Sequence, residues 1–542
     1  MKRIFSCLLS ASILGLCIFA ANLSFADQSN PRIVIDSLRC EYLNNPLGID
    51  ETAPRLSWMV KSTQSVQKQT AYQILVASNP QLLIEDAGDL WDSGIVNSDQ
   101  CVNVIYAGKE LPSRQVCYWK VRIKDQSGRF SDWSDAAKWT MGLLSKNDWK
   151  ADWISFRDKR SIQASQKTME LPPARYYRKP FHTDKSIQRA MFYSNALGIY
   201  ELHLNGERIG DQMFTPGWSD YRRRVYYNAF DVTNQVRHGG NALGAIVADG
   251  WYSGYLGYGL LVGYGPNRCG RYIYSKTPAL MAQLEIEYTD GSKEIVKTDP
   301  SWRVSTGPIL QADMLMGETY DARLEQKDWS APGYDDGAWN PVVLAKENGS
   351  AKMTFYDQAG EREVELGFVE PPIIQAYPSV PIRPTEEIRP VKITEPERGT
   401  YIFNLGQNFS GVVRLRVRGP RGTKVQIRHG EMLHQDGCLM TENLRKAQAT
   451  DVYILRGGGD YETWTPRFTY HGFQYVELTG LAEEPSLDAV TGVAIHSDAP
   501  MVSSFECSDS MVNQLFQNVT WTQRANFFEA PTDCPQRDER FG

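Results

Sequence analysis

The sequence predicts a mainly β protein made of several β-sandwich domains, followed near its end by one helix. Short apolar runs with strand periodicity recur between turn signals along most of the chain, and helical spacing first appears after residue 507. The 542 residues allow about three or four domains. With 42% hydrophobic and 23% charged residues, the composition excludes disorder or a coiled coil for the whole chain. The net charge of −6 argues against a nucleic-acid binder, which would show a basic surface.

The first 26 residues have the pattern of a signal peptide. Met1–Arg3 is basic, the stretch 4–21 is almost wholly apolar or small, and Ser24–Ala26 resembles a cleavage site. We therefore expect this segment to be removed and the mature chain to be exported, to the periplasm or the extracellular space. The alternatives are a membrane anchor or a lipoprotein modified at Cys17. No later stretch is apolar over the roughly 20 residues of a membrane span.

Residues 27–145 form the first predicted domain, a small β-sandwich. Short strands are predicted at Leu56–Val60, Tyr72–Val76 and Tyr118–Ile123, and a turn at Asp125–Gly128 follows the last of them. About 110 residues of this kind suit a sandwich of two sheets. The closing strand, glycine turn and Trp-Ser pair resemble the end of a fibronectin type III domain, for which we expect a spacing or supporting role.

Residues 146–350 are predicted to be a second β-sandwich. Tyr200–Leu204 alternates and runs into Asn205-Gly206, a strong signal of a hairpin turn. A second hairpin is predicted where Leu284–Tyr288 turns at 289–292. Hairpins of this kind indicate antiparallel sheets.

A loop rich in glycine and aromatic residues lies between these hairpins, at 248–258. Rings on a flexible backbone suit stacking on sugars, so Asp249, Trp251 and Tyr252 are candidate carbohydrate-binding residues, and Trp218 is a fourth. The alternative is that these rings cover the sandwich core, because aromatic side chains bury a large apolar area.

Residues 351–500 are predicted to be a third β unit. Prolines recur between 371 and 390 and predict a connector or an edge passage, because proline removes backbone donors. Val412–Val417 and Lys424–Arg428 predict a hairpin whose arginine side chains lie on a solvated face. Tyr470–Leu478 is a further predicted strand.

The pattern changes in residues 501–542. Ser508 or Asp509 can cap a helix, and Met511, Leu515 and Val519 follow helical spacing after it. This is the first strong helix signal after the signal peptide.

The last ten residues carry the strongest signal of chemistry. The segment from Asp533 to Arg540, with the sequence DCPQRDER, places three carboxylates and two guanidiniums in eight positions. Crowded like charges raise the pKa of one carboxyl, while arginines keep others ionised. Such a group can supply a protonated general acid beside ionised side chains that bind sugar hydroxyls. The alternative is a solvated and inert tail.

Together with Phe541-Gly542, this segment closely resembles the start of the active-site motif of bacterial α-L-rhamnosidases of glycoside hydrolase family 78. The resemblance extends to ADGWYSG at 248–254, GQNFSG at 406–411 and FTYHGF at 468–473, so it spans nearly the whole mature chain. It implies a fibronectin III-like sandwich, two rhamnosidase sandwiches of jelly-roll-like and concanavalin-like type, and then the first helix of an incomplete (α/α) barrel.

The resemblance implies hydrolysis of terminal α-L-rhamnosyl groups with inversion. Glu539 maps to the general acid and Asp533 to the residue that binds the rhamnose hydroxyls, with Arg537 and Asp538 in the same pocket. In the family, the motif continues into Trp-x-Gly-Asp and a helical barrel that carries the base, which this chain lacks. We therefore expect a truncated or partial chain with impaired activity, and a helix whose apolar face is exposed.

The expected partner is a rhamnose-containing glycan or glycoside, with no nucleic acid and, after signal cleavage, no membrane. No cofactor is required by this reading, and no Cys-x-x-Cys pair indicates structural zinc. The resemblance also raises calcium, because a comparable β-sandwich domain in some family members binds rhamnose, sometimes with calcium. Asp249 and Asp220 are considered as its ligands, although two carboxylates fall short of the six to eight oxygens that calcium takes. The alternative function is a non-catalytic rhamnose- or carbohydrate-binding protein of several β domains, acting through the second sandwich.

Overall fold

The computed structural model describes residues 33–62, 67–159, 171–255, 271–357 and 360–537. The predicted signal peptide lies outside these ranges, as do Asp538 and Glu539. None of the helices in the described ranges combines the length and the apolar character that crossing a bilayer requires. The chain forms two compact units, which are described separately.

The first unit contains the described residues of Met1–Asn44, Arg55–Gly108 and Trp119–Ala137. The N-terminal sandwich has two sheets, ordered β1-β2-β5 and β4-β3-β6-β7. Its elements are β1 Val34–Cys40, β2 Arg55–Lys61, β3 Gln69–Ala77, α1 Pro80–Ile84, β4 Trp91–Asp92, β5 Val104–Ile105, β6 Val116–Asp125 and β7 Ala137–Thr140. Trp58 packs edge-on against Tyr72 inside this unit. The strands predicted from alternation fall in β2, β3 and β6.

The second unit begins with a sandwich of two mainly antiparallel sheets. The strands of the sandwich are β8 Ile154–Ser155, β9 Arg175–Thr183, β10 Ile187–Leu197, β11 Ile199–Leu204, β12 Glu207–Arg208, β13 Arg224–Asp231, β14 Gly239–Ala248, β15 Ala279–Tyr288, β16 Lys293–Lys297, β17 Arg303–Thr306, β20 Asn340–Pro341, β21 Val343–Leu344 and β24 Ile373–Ala376. The same part of the chain contains β18 Ile309–Asp313 and β19 Gly317–Asp321, which join the sheet described next, and β22 Ala351–Asp357 and β23 Gly360–Leu366, which form a two-stranded sheet. One sheet runs β21-β8-β15-β10-β13-β24, with β16 on β15, and the other runs β12-β11-β14-β9-β17-β20. A short helix, α2 Gly250–Ser253, follows β14. Both predicted hairpins are confirmed, as β11–β12 and β15–β16.

A ten-stranded sheet follows, ordered β18-β19-β29-β28-β31-β27-β32-β25, with β26 and β30 paired to β27. Its new strands are β25 Ile382–Ile388, β26 Lys392–Glu397, β27 Thr400–Val417, β28 Lys424–Gly430, β29 Thr450–Ile454, β30 Glu462–Trp464, β31 His471–Thr479 and β32 Val490–Ser497. The prediction of a hairpin between β27 and β28 is wrong. Both strands exist, but β31 lies between them, because a later strand of the chain pairs with both.

The chain then forms α3 Ser510–Ala525, β33 Phe527–Phe528 and β34 Ala530–Pro531. The Asp509 carboxylate accepts the backbone N–H groups of Met511 and Val512 and so caps α3, as predicted. Met511, Leu515 and Val519 of α3 are exposed, 79% for Met511 and 60% for Leu515, whereas Trp521 is partly buried against the core. Short 3₁₀ turns complete the description, at Lys146–Asp148, Ala322–Leu324, Ala345–Asn348, Glu442–Leu444 and Leu487–Ala489.

Candidate active site

The segment that leads into the acidic motif is held by a buried aromatic side chain. We call Phe527–Pro531, the β33–β34 hairpin, the anchor turn. The ring of Phe528 stacks on Tyr470, with 3.8 Å between ring centroids, and lies 6.2 Å from the ring of Phe214. Phe528 is only 2% exposed, so its burial fixes this turn against the sandwich and the ten-stranded sheet.

Glu529 occupies the tip of the anchor turn, with a positive φ of 70°. Its backbone N–H donates to Ser497 Oγ at 2.7 Å. Its carboxyl accepts the backbone N–H of Trp218 at 2.6 Å, across 311 positions of sequence. Burial raises the pKa of Glu529 to about 8, although the Trp218 hydrogen bond acts in the opposite direction. No local sequence pattern predicts this contact, because Glu529 and Trp218 lie 311 positions apart.

The described part of the active-site motif lies on β31. Pro535 is buried, and a Cβ placed on Gly472 would lie 3.0 Å from Pro535 Cγ and 2.9 Å from the backbone nitrogen of Gln536. The motif chain therefore passes so close to Gly472 that a side chain at this position would collide with it.

The two described candidate residues of the motif, Asp533 and Arg537, both contact Cys534. Asp533 is exposed, and its carboxylate accepts a hydrogen bond from Cys534 Sγ at 3.4 Å. Arg537 is half-buried, and its Nε donates to the same sulfur at 3.1 Å. Burial raises the pKa of the Cys534 thiol. Asp538 and Glu539 lie beyond the described residues, so the position of the expected general acid stays a prediction.

Two further motifs meet beside this segment. GQNFSG lies on β27 and FTYHGF leads into β31, and the two strands pair with Phe409 opposite Phe473 and Ser410 opposite Gly472. The register shifts between Asn404 and Phe409, so a bulge interrupts the ladder at the start of the first motif. Motifs separated in sequence thus form one surface under the tail.

The aromatic loop residues take part in packing. Trp251 lies edge-on to Phe214, with 6.2 Å between centroids, and Tyr252 is 4% exposed. Trp218 is partly buried against the same aromatic cluster. Asp249 forms a buried ion pair with Arg271, whose side chain is fully buried. In this structure the four candidate carbohydrate-binding residues therefore contribute to the core beside the anchor turn.

A buried polar cluster under β31 was missed at the sequence level. His471 Nε2 lies 3.2 Å from Asp451 Oδ2, and His429 Nδ1 donates to the carbonyl of Ala449 at 2.9 Å. The backbone N–H of Glu318 donates to the other oxygen of Asp451 at 2.8 Å. Burial lowers the pKa of His429 to about 3 and raises that of Asp451 to about 6. The residues are far apart in sequence and lack a motif, so only pairing of the strands brings them together.

This cluster has the donor types of a metal site but tight packing. One atom from each of His429, Asp451 and His471 lies within 4.8 Å of the others. The two imidazole rings are stacked, with centroids 4.1 Å apart and an interplanar angle of 23°. The cluster therefore supports β31, the strand that carries Gly472, through hydrogen bonds and ring stacking.

A second buried carboxyl holds the start of the same strand. Glu318 Oε2 accepts the backbone N–H groups of Arg467 and Phe468, each at 3.1 Å. Burial raises the pKa of Glu318 to about 8. Glu318 therefore fixes the beginning of the FTYHGF segment from beneath.

Four family models match consecutive parts of the chain. They are an immunoglobulin domain of the Rha78A-like N-terminal type at 35–145, the α-L-rhamnosidase N-terminal domain at 185–361, the bacterial α-L-rhamnosidase concanavalin-like domain at 394–496 and its six-hairpin glycosidase domain at 500–542. The fold and these matches thus define a multidomain protein in which β-sandwiches are followed by residues that match part of a six-hairpin glycosidase domain. The chain belongs to the bacterial α-L-rhamnosidase family.

Similar proteins agree with this assignment. An α-L-rhamnosidase from Streptomyces avermitilis is 34% identical over 94% of this chain and 62% of its own length, and one from Formosa agariphila is 37% identical over 93% and 51%. The crystal structure of the Streptomyces avermitilis enzyme complexed with L-rhamnose superposes with a TM-score of 0.82, at 33% identity, covering 94% of this chain and 62% of that one. The chain therefore spans between about half and 62% of the length of these relatives.

Proposed function

We propose that this chain belongs to an α-L-rhamnosidase that hydrolyses terminal α-L-rhamnosyl groups with inversion. The observation that carries the proposal is the docking of the motif on the glycine of FTYHGF, which joins two family motifs at one surface. The α-L-rhamnosidase names of the relatives support the same substrate class.

The proposed chemistry assigns a role to each acidic side chain of the motif. Inversion needs one carboxyl group to protonate the leaving oxygen and a second carboxylate to activate water from the opposite face, about 6.5–9.5 Å away. Glu539 is proposed as the acid, because neighbouring carboxylates favour its protonated form. Asp533, Arg537 and Asp538 are proposed to bind the sugar hydroxyls. None of these residues is assigned the role of base, so we expect little or no turnover by this chain.

Binding of L-rhamnose tests the proposal directly. We expect calorimetry to detect L-rhamnose binding that Asp533→Ala abolishes. Trp251→Phe is the matched control, because it preserves an aromatic ring in the core beside Phe214. Loss of binding in Trp251→Phe, with binding retained in Asp533→Ala, would favour the carbohydrate-binding module instead.

Hydrolysis of an aryl α-L-rhamnoside tests the acid. We expect little or no rhamnose release by this chain. Clear release that Glu539→Gln abolishes would confirm the role of Glu539 and refute the expected lack of turnover. Clear release that survives Glu539→Gln would refute the assignment of the acid.

The proposed reaction uses carboxyl groups and water and needs no cofactor. Two ion pairs support a reaction without calcium. The Asp249 carboxylate is taken by Arg271, and the Asp220 carboxylate pairs with Arg222 at 2.9 Å. We also propose export to the periplasm or the extracellular space, which N-terminal sequencing of the secreted protein would test.

A further inference from the structure

The anchor turn is fastened at its tip by one carboxyl group. Glu529 places its side chain against the loop Gly217–Trp218, where its Oε2 accepts the Trp218 backbone N–H. A Cβ on Gly217 would lie 2.5 Å from that oxygen and 2.7 Å from Tyr377 Cε2, so only glycine leaves room for the carboxyl. Asp533 follows four residues later, which makes the turn the last fixed point before the motif.

Among the residues that the structure describes, the Glu529 carboxyl forms no ion pair with Lys, Arg or His. Three tyrosine hydroxyls, those of Tyr221, Tyr226 and Tyr377, have their pKa raised first by burial and further by the nearby Glu529 carboxylate. On β13, Arg224 acts on Tyr226.

The strand end that holds the Glu529 backbone also carries titratable groups. On β32, next to Ser497, the ring of His496 contacts Thr385 at 2.9 Å. Asp498, which follows Ser497, pairs with Arg383 at 3.3 Å. These groups are thus engaged with partners other than Glu529.

We propose that Glu529 is a positioning residue whose protonated carboxyl fastens the anchor turn to the Gly217–Trp218 loop, so that rising pH loosens the segment carrying the sugar-binding motif. The inference rests on the proposed function for its link to rhamnose, but the fastening itself does not. A released turn places Glu529 in water, where its carboxyl ionises in the usual range near 4.5. In the docked turn, burial raises the pKa of Glu529 to about 8, so the carboxyl stays mostly protonated below that pH.

The difference in pKa between the docked and the released turn makes docking weaker as the pH rises. Below about pH 4.5 both forms are protonated and the docking contribution is complete. Between about pH 4.5 and 8 only the released form loses its proton, so the docking equilibrium constant falls by up to tenfold per pH unit. Above pH 8 both forms are ionised and the constant stops falling.

Hydrogen exchange of the peptide that covers residues 526–532 measures this equilibrium. Two amides report on it, because the Glu529 N–H donates to Ser497 and the Thr532 N–H to the Asn526 carbonyl. The exchange rate of the wild type is divided by that of Glu529→Gln at each pH, because the pH dependence of intrinsic amide exchange cancels in this ratio. The ratio of wild-type to variant rate is expected to rise by up to tenfold per unit from pH 5 to 8. A ratio that stays constant over this range would overturn the proposal.

Two more variants keep the result interpretable. Glu506→Gln, an exposed residue of the same region, should exchange like the wild type at every pH. Glu529→Asp keeps the charge but is one methylene shorter, so it should exchange fast even at pH 5. If Glu529→Gln does not fold, the wild-type rate should approach that of Glu529→Asp as the pH rises, and a constant gap between them would refute the fastening.

Rhamnose binding separates this inference from the proposed function. We expect the wild type to bind L-rhamnose more weakly at pH 8 than at pH 5.5, and Glu529→Gln to bind equally at both. A pH-dependent exchange ratio without any rhamnose binding would leave the fastening intact and refute the proposed function. Binding of L-rhamnose together with an exchange ratio that does not change with pH would refute the fastening and leave the proposed function intact.

Discussion

Adding one methyl group at Gly472 should push the active-site motif off the sheet. The Cβ of Gly472→Ala would meet the Gln536 nitrogen at 2.9 Å and Pro535 Cγ at 3.0 Å. Ordinary contacts begin at 3.4 Å, so the neighbouring chain must retreat by about 0.5 Å. The nearest atom belongs to a backbone, which cannot rotate away as the end of a flexible side chain does.

The expected cost follows from that overlap. Overpacking of this kind costs about 1–3 kcal/mol, which corresponds to a roughly 5- to 150-fold change in the docking equilibrium of the tail. Labelling of the Cys534 thiol reports the docking locally, because this side chain is partly buried and held by Arg537. We expect faster labelling of Cys534 in Gly472→Ala, measured by mass mapping of the peptide.

Gly240→Ala is the matched control. Gly240 also lies in a β-strand, and its Cβ would meet nothing closer than Pro332 Cβ at 3.9 Å. Both variants should show a cooperative unfolding transition in urea, which indicates that both are folded. Only Gly472→Ala should expose Cys534. Equal labelling rates in the two variants, with equal stability, would refute the close approach of the motif to β31.

Three further predictions concern buried groups around the site. Phe528→Ala should lower the free energy of unfolding in urea by about 3–5 kcal/mol, because it removes the ring that stacks on Tyr470. Arg271→Met should cost about 3–5 kcal/mol by the same measurement, because it leaves the carboxylate of Asp249 buried without its partner. Stability should fall as the pH rises from about 4.5 to 8 through Glu318, whose pKa is raised to about 8, and Glu318→Gln should flatten this part of the urea-midpoint profile. Identical profiles for wild type and Glu318→Gln would contradict that assignment.

Local patterns predicted the elements of the fold well. Asn205-Gly206 encodes its own turn, and Asp509 caps α3 with an oxygen two residues away from the amide it binds. Such signals act over a few residues and can be read directly. The pairing of β27 was mispredicted because its partner β31 comes much later in the sequence, and no local pattern encodes a pairing over that separation.

The acidic motif also combines local signals with distant contacts. Its residue types indicated sugar chemistry and its sequence indicated the family, yet neither revealed which residues support the motif in the fold. Three supports, Phe528, Glu529 and Gly472, come from contacts between distant parts of the chain. The aromatic loop was ambiguous in sequence because a ring that stacks on a sugar and a ring that fills a core have the same composition signature.

The position of the motif depends on supports of different physical character. The stack of Phe528 is apolar and does not titrate, whereas the carboxyl of Glu529 forms no ion pair within the described ranges and is proposed to hold the turn less tightly as the pH rises. Because Phe528 is next to Glu529 in the chain, loss of the polar contact alone should loosen the tip of the turn without releasing the ring. Because the two residues share one turn, a double-mutant cycle of Phe528→Leu and Glu529→Gln, followed by urea unfolding, should show a coupling of about 0.5–3 kcal/mol, and additive losses would refute a shared support.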